Sequence, residues 1–496
     1  MAAPTSDLPW DLLTSHFKFD TSHPDHGDIT DFYLCHKPDQ GKDLNRFVEV
    51  LAESITTLAA QERRKYAESY EAPDPDDIVI PESDLVQIDA VLHRWLLSCT
   101  DISIPPWFQN RLPVDYSLIS RPLSVRRVRR LENTRLPLST SGTGDAVICS
   151  HVGDYSCQCL PRFEERRMST FLHNHQWNDC FRFDEVNGDG FYGLELLKAL
   201  ILHGSMDTVL RICAHSQVDF LGWWDVRTCY CVGDDVALGM MCRDTLRAYI
   251  LLNFIRRGFP ERCVRNTADK AKSEEEERSD PSADYLRTRT YQMLVNHLTI
   301  SDMSTEIPQF RHMEFFGIRN DHSRSFPRKE SWGKGSLDYI YPLGRVSYRE
   351  FLAVDIDADP PYMPSAAEMD TVVWILSEKG LPTELVDTIL GLAEYDEMRV
   401  LRIPHDPLHE LNSDQLDEYL AWSWQILLRF DMLARAQGDE IPWDALISNC
   451  FLESFPIRIP TSGYPRPKET KQCFMRNEET ESDGLRTTEG FKTVFL

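Results

Sequence analysis

After Asp43, six apolar residues, Leu44, Phe47, Val48, Leu51, Ile55 and Leu58, recur at helical spacing and fall on one face. A helix with such a stripe must lay it on another element, which commits the chain to helix packing. A proline- and aspartate-rich break at 72–77 ends it, and a second stripe follows through Leu85, Ile88, Leu92, Trp95 and Leu96. The same period returns downstream. Leu196–Leu202 and Met206–Ala214 read as a helix pair joined at His203 and Gly204, and 285–299 reads as a further helix. A capping box, Ser365 to Glu368, precedes a helix through Val372, Val373, Ile375 and Leu376 that stops at Gly380. Pro382 then opens another helix with Glu384 in its first turn and Leu385, Ile389, Leu390 and Leu392 as its apolar stripe. A long helix over 412–437 and a last one started by Pro442 complete the pattern. Strand signals are few: Ala146–Cys149, and a small hairpin from 337–341 and 345–348 around Pro342 and Gly344. The expected fold class is mainly α, α+β overall, multi-domain, with a C-terminal helical unit and a small β contribution in the middle.

Breaks in the pattern divide the chain into a helical region at 1–138, loop-like up to about residue 40, and a Cys/His-rich mixed domain at 146–264. An acidic linker at 265–284, with Glu274–Glu277 among polar residues, is expected to be disordered. A mixed connecting region at 285–360, the C-terminal helical unit at 362–456 and a polar, disordered tail at 463–496 follow. The formal charge of −26 excludes general nucleic-acid or anionic-membrane binding, which requires positive potential. Arg121–Arg130 is the one concentrated basic run, and reads as a solvated element pairing with the chain's own carboxylates. The N-terminus has no basic start followed by an apolar run, and no apolar stretch is long enough to span a bilayer. With 13 cysteines, an odd number, this predicts reduced thiols in an intracellular protein, cytoplasmic or nuclear and not secreted.

The run Leu381, Pro382, Glu384 and Leu385 followed by Ile389 and Leu390 resembles the opening helix of the F-box, the module by which substrate adaptors dock on the Skp-type linker of cullin ubiquitin ligases. It also looks like a phrase near the C-terminus of many uncharacterised filamentous-fungal proteins, continuing through 403–408 and 419–428. The resemblance implies an interaction protein whose Leu381, Pro382, Glu384, Leu385, Ile389 and Leu390 contact a Skp-type partner by helix-in-groove packing. The alternative is a Gly-terminated helix followed by a Pro-started one inside an ordinary helical domain.

A second functional reading rests on Cys149, His151, Cys157, Cys159, His173, His175 and Cys180, whose thiolates and imidazoles suit tetrahedral zinc in a structural or regulatory site. Their Cys-x-Cys and His-x-His spacings put neighbours on opposite strand faces and match none of the common zinc patterns, so reduced core thiols with surface histidines stand as the alternative. Cys213, His215, Cys229 and Cys231 form a weaker set. Asn187, Asp189 and Gly190 follow the order of a calcium loop without its final carboxylate, and with Gly188 and Gly193 they read by default as an Asn-Gly turn into a helix. Pro407 keeps His405 and His409 off a shared helical face. No nucleophile elbow, zinc-protease helix or kinase signature is present, so an enzyme of unrecognised class is the remaining alternative.

Overall fold

The apolar stripe after Asp43 does form one helix, running from Gln40 to Arg63, in which Leu44, Phe47, Val48, Leu51 and Ile55 are all buried. The structure, a computed structural model, describes residues 8–20, 29–35, 40–85, 88, 161, 163–176, 183–224, 237–263, 284–300, 312–318, 343–344, 348–352, 366–392 and 401–455. In chain order these hold α1 (Trp10–Thr14), β1 (Phe17–Asp20), β2 (Asp31–Leu34), α2 (Gln40–Arg63), α3 (Phe183–His203), α4 (Met206–Cys213) and α5 (Leu238–Gly258). They continue with α6 (Arg289–Ile300), α7 (His312–Phe315), α8 (Tyr348–Leu352), α9 (Ala366–Glu378), α10 (Thr383–Leu392), α11 (Ser413–Ala436) and α12 (Trp443–Ser454). The protein is mainly α.

Helix α5 is the centre. Leu246, Tyr249, Ile250, Leu251, Leu252 and Phe254 are all buried, and consecutive buried positions mean that the helix is covered on every side. It packs against α1, α6, α11 and α12, while α11 also lies on α2 and α4. Helices from the first, middle and last parts of the chain thus close one apolar core that runs from Leu8 to Phe455.

The first forty residues are not simply loop. Strands β1 and β2 pair antiparallel, Phe17 opposite Leu34 and Phe19 opposite Phe32. What makes so short a hairpin stable is packing at one end of α5: Phe17 meets Phe254 at 4.9 Å and Phe455 at 4.6 Å, and Phe32 meets Phe259 at 4.7 Å between ring centroids. The same segment caps α6 from outside. Thr30 O accepts the Arg289 amide at 3.0 Å, Asp31 Oδ1 accepts that of Thr290 at 3.1 Å, and Thr288 Oγ1 accepts that of Tyr291 at 3.1 Å. These are amides that a helix start leaves without intrahelical partners. The hairpin expected at 337–348 lies largely outside the described residues, and Tyr348, expected to end a strand, begins α8.

Irregular segments are tied to the helices by carboxamides that imitate a peptide group, buried at Asn187 and Asn412 and half-buried at Gln437. Asn187 accepts from Gln176 N–H and donates to Gln176 O, both at 2.9 Å. Gln437 accepts from Phe220 N–H at 2.9 Å and donates to Val218 O at 2.9 Å. Asn412 accepts from Ile403 N–H at 3.1 Å and donates to Ile403 O and Asp406 O at 2.9 and 2.6 Å. Such groups give backbone N–H and C=O partners where the chain is neither helix nor strand.

The expected turn at Asn187 and Gly188 is instead helix, because α3 begins at Phe183 and runs unbroken through both. Its glycines answer close packing: a Cβ on Gly190 would lie 2.3 Å from the Trp223 ring, and one on Gly193 would lie 2.6 Å from Thr170 O. Helix α3 ends at the expected joint. Gly204 has φ +82°, its amide donates to Ile201 O at 3.1 Å, and that of Ser205 donates to Leu200 O at 2.9 Å, the paired bonds of a Schellman cap. Arg429 from α11 donates to Ile201 O and Leu202 O at 2.7 and 2.8 Å, so a guanidinium completes the negative end of the helix.

Candidate functional site

The helix stop at Gly380 and the start at Pro382 build a hairpin of α9 and α10. Gly380 has φ +80°, its amide donates to Ser377 O at 2.8 Å, and that of Leu381 donates to Leu376 O at 3.3 Å, again a Schellman cap. Pro382 O then accepts the amides of Leu385 and Val386 at 3.0 Å, which starts α10 without needing the N–H that proline lacks. The two helices touch each other.

Exposure sorts the side chains of this hairpin. On α10, Val386 and Leu390, four apart, are buried, whereas Leu385 and Ile389, also four apart, are 50% and 39% exposed. On α9, Trp374 is 63% and Ile375 44% exposed. Pro382 is exposed, Leu381 is half-buried, and Glu384 lies in the first turn of α10. Among the described residues the only other large apolar side chain so exposed is Leu411. Full burial of a side chain of this size is worth roughly 1.5–3 kcal/mol, so each forgoes on the order of 1 kcal/mol in water. These outward apolar residues are concentrated on one hairpin. Trp374 was not singled out by its sequence, although a signal was present: Val372 to Leu376 is apolar without interruption, and a helix cannot bury five consecutive residues on one side.

The zinc set is not assembled among the described residues. Cys149, His151, Cys157, Cys159 and Cys180 lie outside them. His173 is exposed, and its carbonyl accepts the Trp223 indole N–H at 3.2 Å. His175 sits edge-on to the Trp223 ring at 5.4 Å, and burial lowers its pKa. Among the described residues there is no group of three or more His, Cys, Asp or Glu arranged to hold a metal ion. His409 caps the turn that follows it by accepting the Leu411 amide on Nδ1 at 3.1 Å, and His405 stands at φ +61°, so the two serve loop geometry.

Interior polar groups are hydrogen-bonded to one another and to the backbone. Tyr285 donates to Asp406 Oδ1 at 2.5 Å and accepts the Leu408 amide at 3.1 Å, and Tyr291 Oη lies 2.9 Å from His312 Nε2. All four of these side chains are buried. Burial lowers the pKa of His312 from 6.5 to about 3. Burial likewise pushes the Cys213, Cys263 and Cys450 thiols up to about 12. An open groove of about 400 Å³ lies over Thr56, Thr57, Ala60, Gln61, Arg64 and Arg435, but Arg435 is already paired with Asp431 at 2.7 Å and Glu440 at 3.6 Å. No helix among the described residues is long and apolar enough to cross a membrane.

Comparison with protein families gives a match to the model described as Gramillins biosynthetic cluster protein GRA5, over residues 11–467. Neither a curated protein nor a solved structure matches the chain. The match overturns the F-box resemblance and, with it, the ubiquitin-ligase adaptor function, because the family that spans Leu381 to Leu390 is a different one. The physical reason for the false likeness is visible in the hairpin: a glycine cap, a proline start, an acid in the first turn and leucines at helical spacing are what any closely joined helix pair needs. The matched span covers most of the sequence, and the chain belongs to the Gramillins biosynthetic cluster protein GRA5 family.

Proposed function

We propose that this chain is a protein-interaction component of secondary-metabolite biosynthesis, acting by contact through the α9–α10 hairpin. The family description supports the pathway. The observation that carries the mode of action is the outward placement of Trp374, Ile375, Leu385 and Ile389 on one hairpin. Contact surfaces are built this way, with a few aromatic and aliphatic anchors supplying most of the binding energy.

The test has two arms in the organism that carries the gene. Deleting the gene should remove one or more compounds from the secondary-metabolite profile read by mass spectrometry, and an unchanged profile refutes the pathway role. Restoring the gene as a Trp374→Asp, Leu385→Asp variant should fail to bring the compound back. Because both side chains already face water, the variant should keep the wild-type circular dichroism and cellular abundance. Full restoration by that variant would refute the hairpin as the contact surface.

A further inference from the structure

The charge around the hairpin narrows what can cover it, and this step rests on the interaction reading just given. From Ala366 to Leu392 the sequence carries Glu368, Asp370, Glu378, Glu384 and Asp387 against the single base Lys379. The whole chain, acidic as it is, has 79 acids to 53 bases, so five to one is a local excess. Two of these acids are placed by helix geometry. Asp370 and Glu378 stand four residues before and after Trp374, all three are exposed, and helical spacing puts them on one face. A ring between two carboxylates offers an arginine its π face and an ion-pair partner together, whereas it repels phosphates and anionic lipids.

We propose that the occupant of this surface is an arginine-bearing amphipathic helix of a partner protein. Its apolar stripe covers Ile375, Leu385 and Ile389, and an arginine stacks on Trp374 between Asp370 and Glu378. Apolar area supplies the attraction, and the acids set the sign of the partner's charge.

The experiment uses the full-length protein and fluorescently labelled synthetic helices, with binding read as anisotropy at low and high salt. The probes are a leucine and arginine amphipathic helix, the same composition with its spacing scrambled, and the amphipathic helix with glutamate for arginine. The ordered arginine helix should bind, weaken with salt, and lose about tenfold in affinity on Trp374→Ala. Asp370→Lys with Glu378→Lys should weaken it by a similar factor while letting the glutamate helix bind, an exchange of preference that a misfolded variant does not give. Equal binding of the scrambled peptide, or of the glutamate helix to the unaltered protein, overturns the proposal. So does a dimer in sedimentation that Trp374→Ala dissolves and the arginine helix does not, because the occupant is then a second copy. If the arginine helix fails to bind while the Trp374→Asp, Leu385→Asp variant still loses the metabolite, this inference alone falls. If the metabolite is unaffected, both fall.

Discussion

Asp31 offers the sharpest quantitative test of the core. Its carboxylate, fully buried, accepts the amides of Phe32 at 2.8 Å and Thr290 at 3.1 Å and so joins β2 to the start of α6. Burial outweighs those hydrogen bonds and raises its pKa from 3.8 to about 6. A shift of roughly two units at about 1.36 kcal/mol each amounts to about 3 kcal/mol. The sign follows from proton counting. Below about pH 3 the group is protonated whether or not the chain is folded, and nothing is lost. As the pH rises toward 6 the unfolded chain ionises first while the folded one keeps its proton, so stability falls, and above about 6 the loss is complete. His312 works in the opposite direction, because burial lowers its pKa to about 3 and stability is lost as the pH falls below the usual 6.5. Wild-type curves therefore mix the two, and the informative quantity is the difference between wild type and Asp31→Asn. Urea unfolding followed by tryptophan fluorescence at intervals from pH 3 to 7 should show the wild type losing about 3 kcal/mol relative to the variant across that range. The amide in the variant retains an oxygen for the two N–H groups, and any cost of its NH₂ is independent of pH. A flat difference curve would refute the reasoning.

Other expected outcomes follow from the same contacts. Gly204→Ala should lower the melting temperature more than Gly438→Ala: both glycines have positive φ, but a Cβ at 204 would lie 2.8 Å from Arg429 Nη2, whereas at 438 nothing lies within 4 Å. Equal losses in calorimetry would mean that φ alone decides. Gly190→Ala should destabilise by about 1–3 kcal/mol through overpacking against Trp223, although alanine is the better helix former; a stabilised variant in chemical denaturation would count against the close approach. Asn412→Ala removes three hydrogen bonds and should cost about 2–4 kcal/mol in the same assay, with faster amide exchange over 401–412. In the native protein the Cys213, Cys242, Cys263 and Cys450 thiols should resist iodoacetamide, while half-buried Cys35 reacts before these four in mass-spectrometric mapping.

Local structure was legible wherever one helix decides its own case. The stripe of α2, the stop at Gly204, the Gly380 and Pro382 punctuation and the span of α11 all follow from spacing and cap chemistry, which are properties of neighbouring residues. Features decided by distant residues were not. Gly190 and Gly193 look like turn residues until Trp223 and the Thr170 carbonyl are set beside them. The hairpin before residue 40 is held by Phe254, Phe259 and Phe455, none of them near it in sequence. At the candidate site, spacing picked out Leu385 and Ile389, but nothing in it told that they face outward while Val386 and Leu390 face inward. That division depends on which side the neighbouring helices occupy. Short motifs built from cap residues carry the least functional information, since the backbone demands them wherever two helices meet.

The pairing of α2 with α11 and α12 bears on how the protein is made. Ribosomes deliver on the order of 5–20 residues each second, so the apolar face of α2 leaves the exit tunnel tens of seconds before its partners exist. Throughout that interval only α1, whose Trp10 ring meets Phe47 at 5.1 Å, is there to cover this face. A chain cut short before α11 should therefore leave aggregates rather than a shorter working protein.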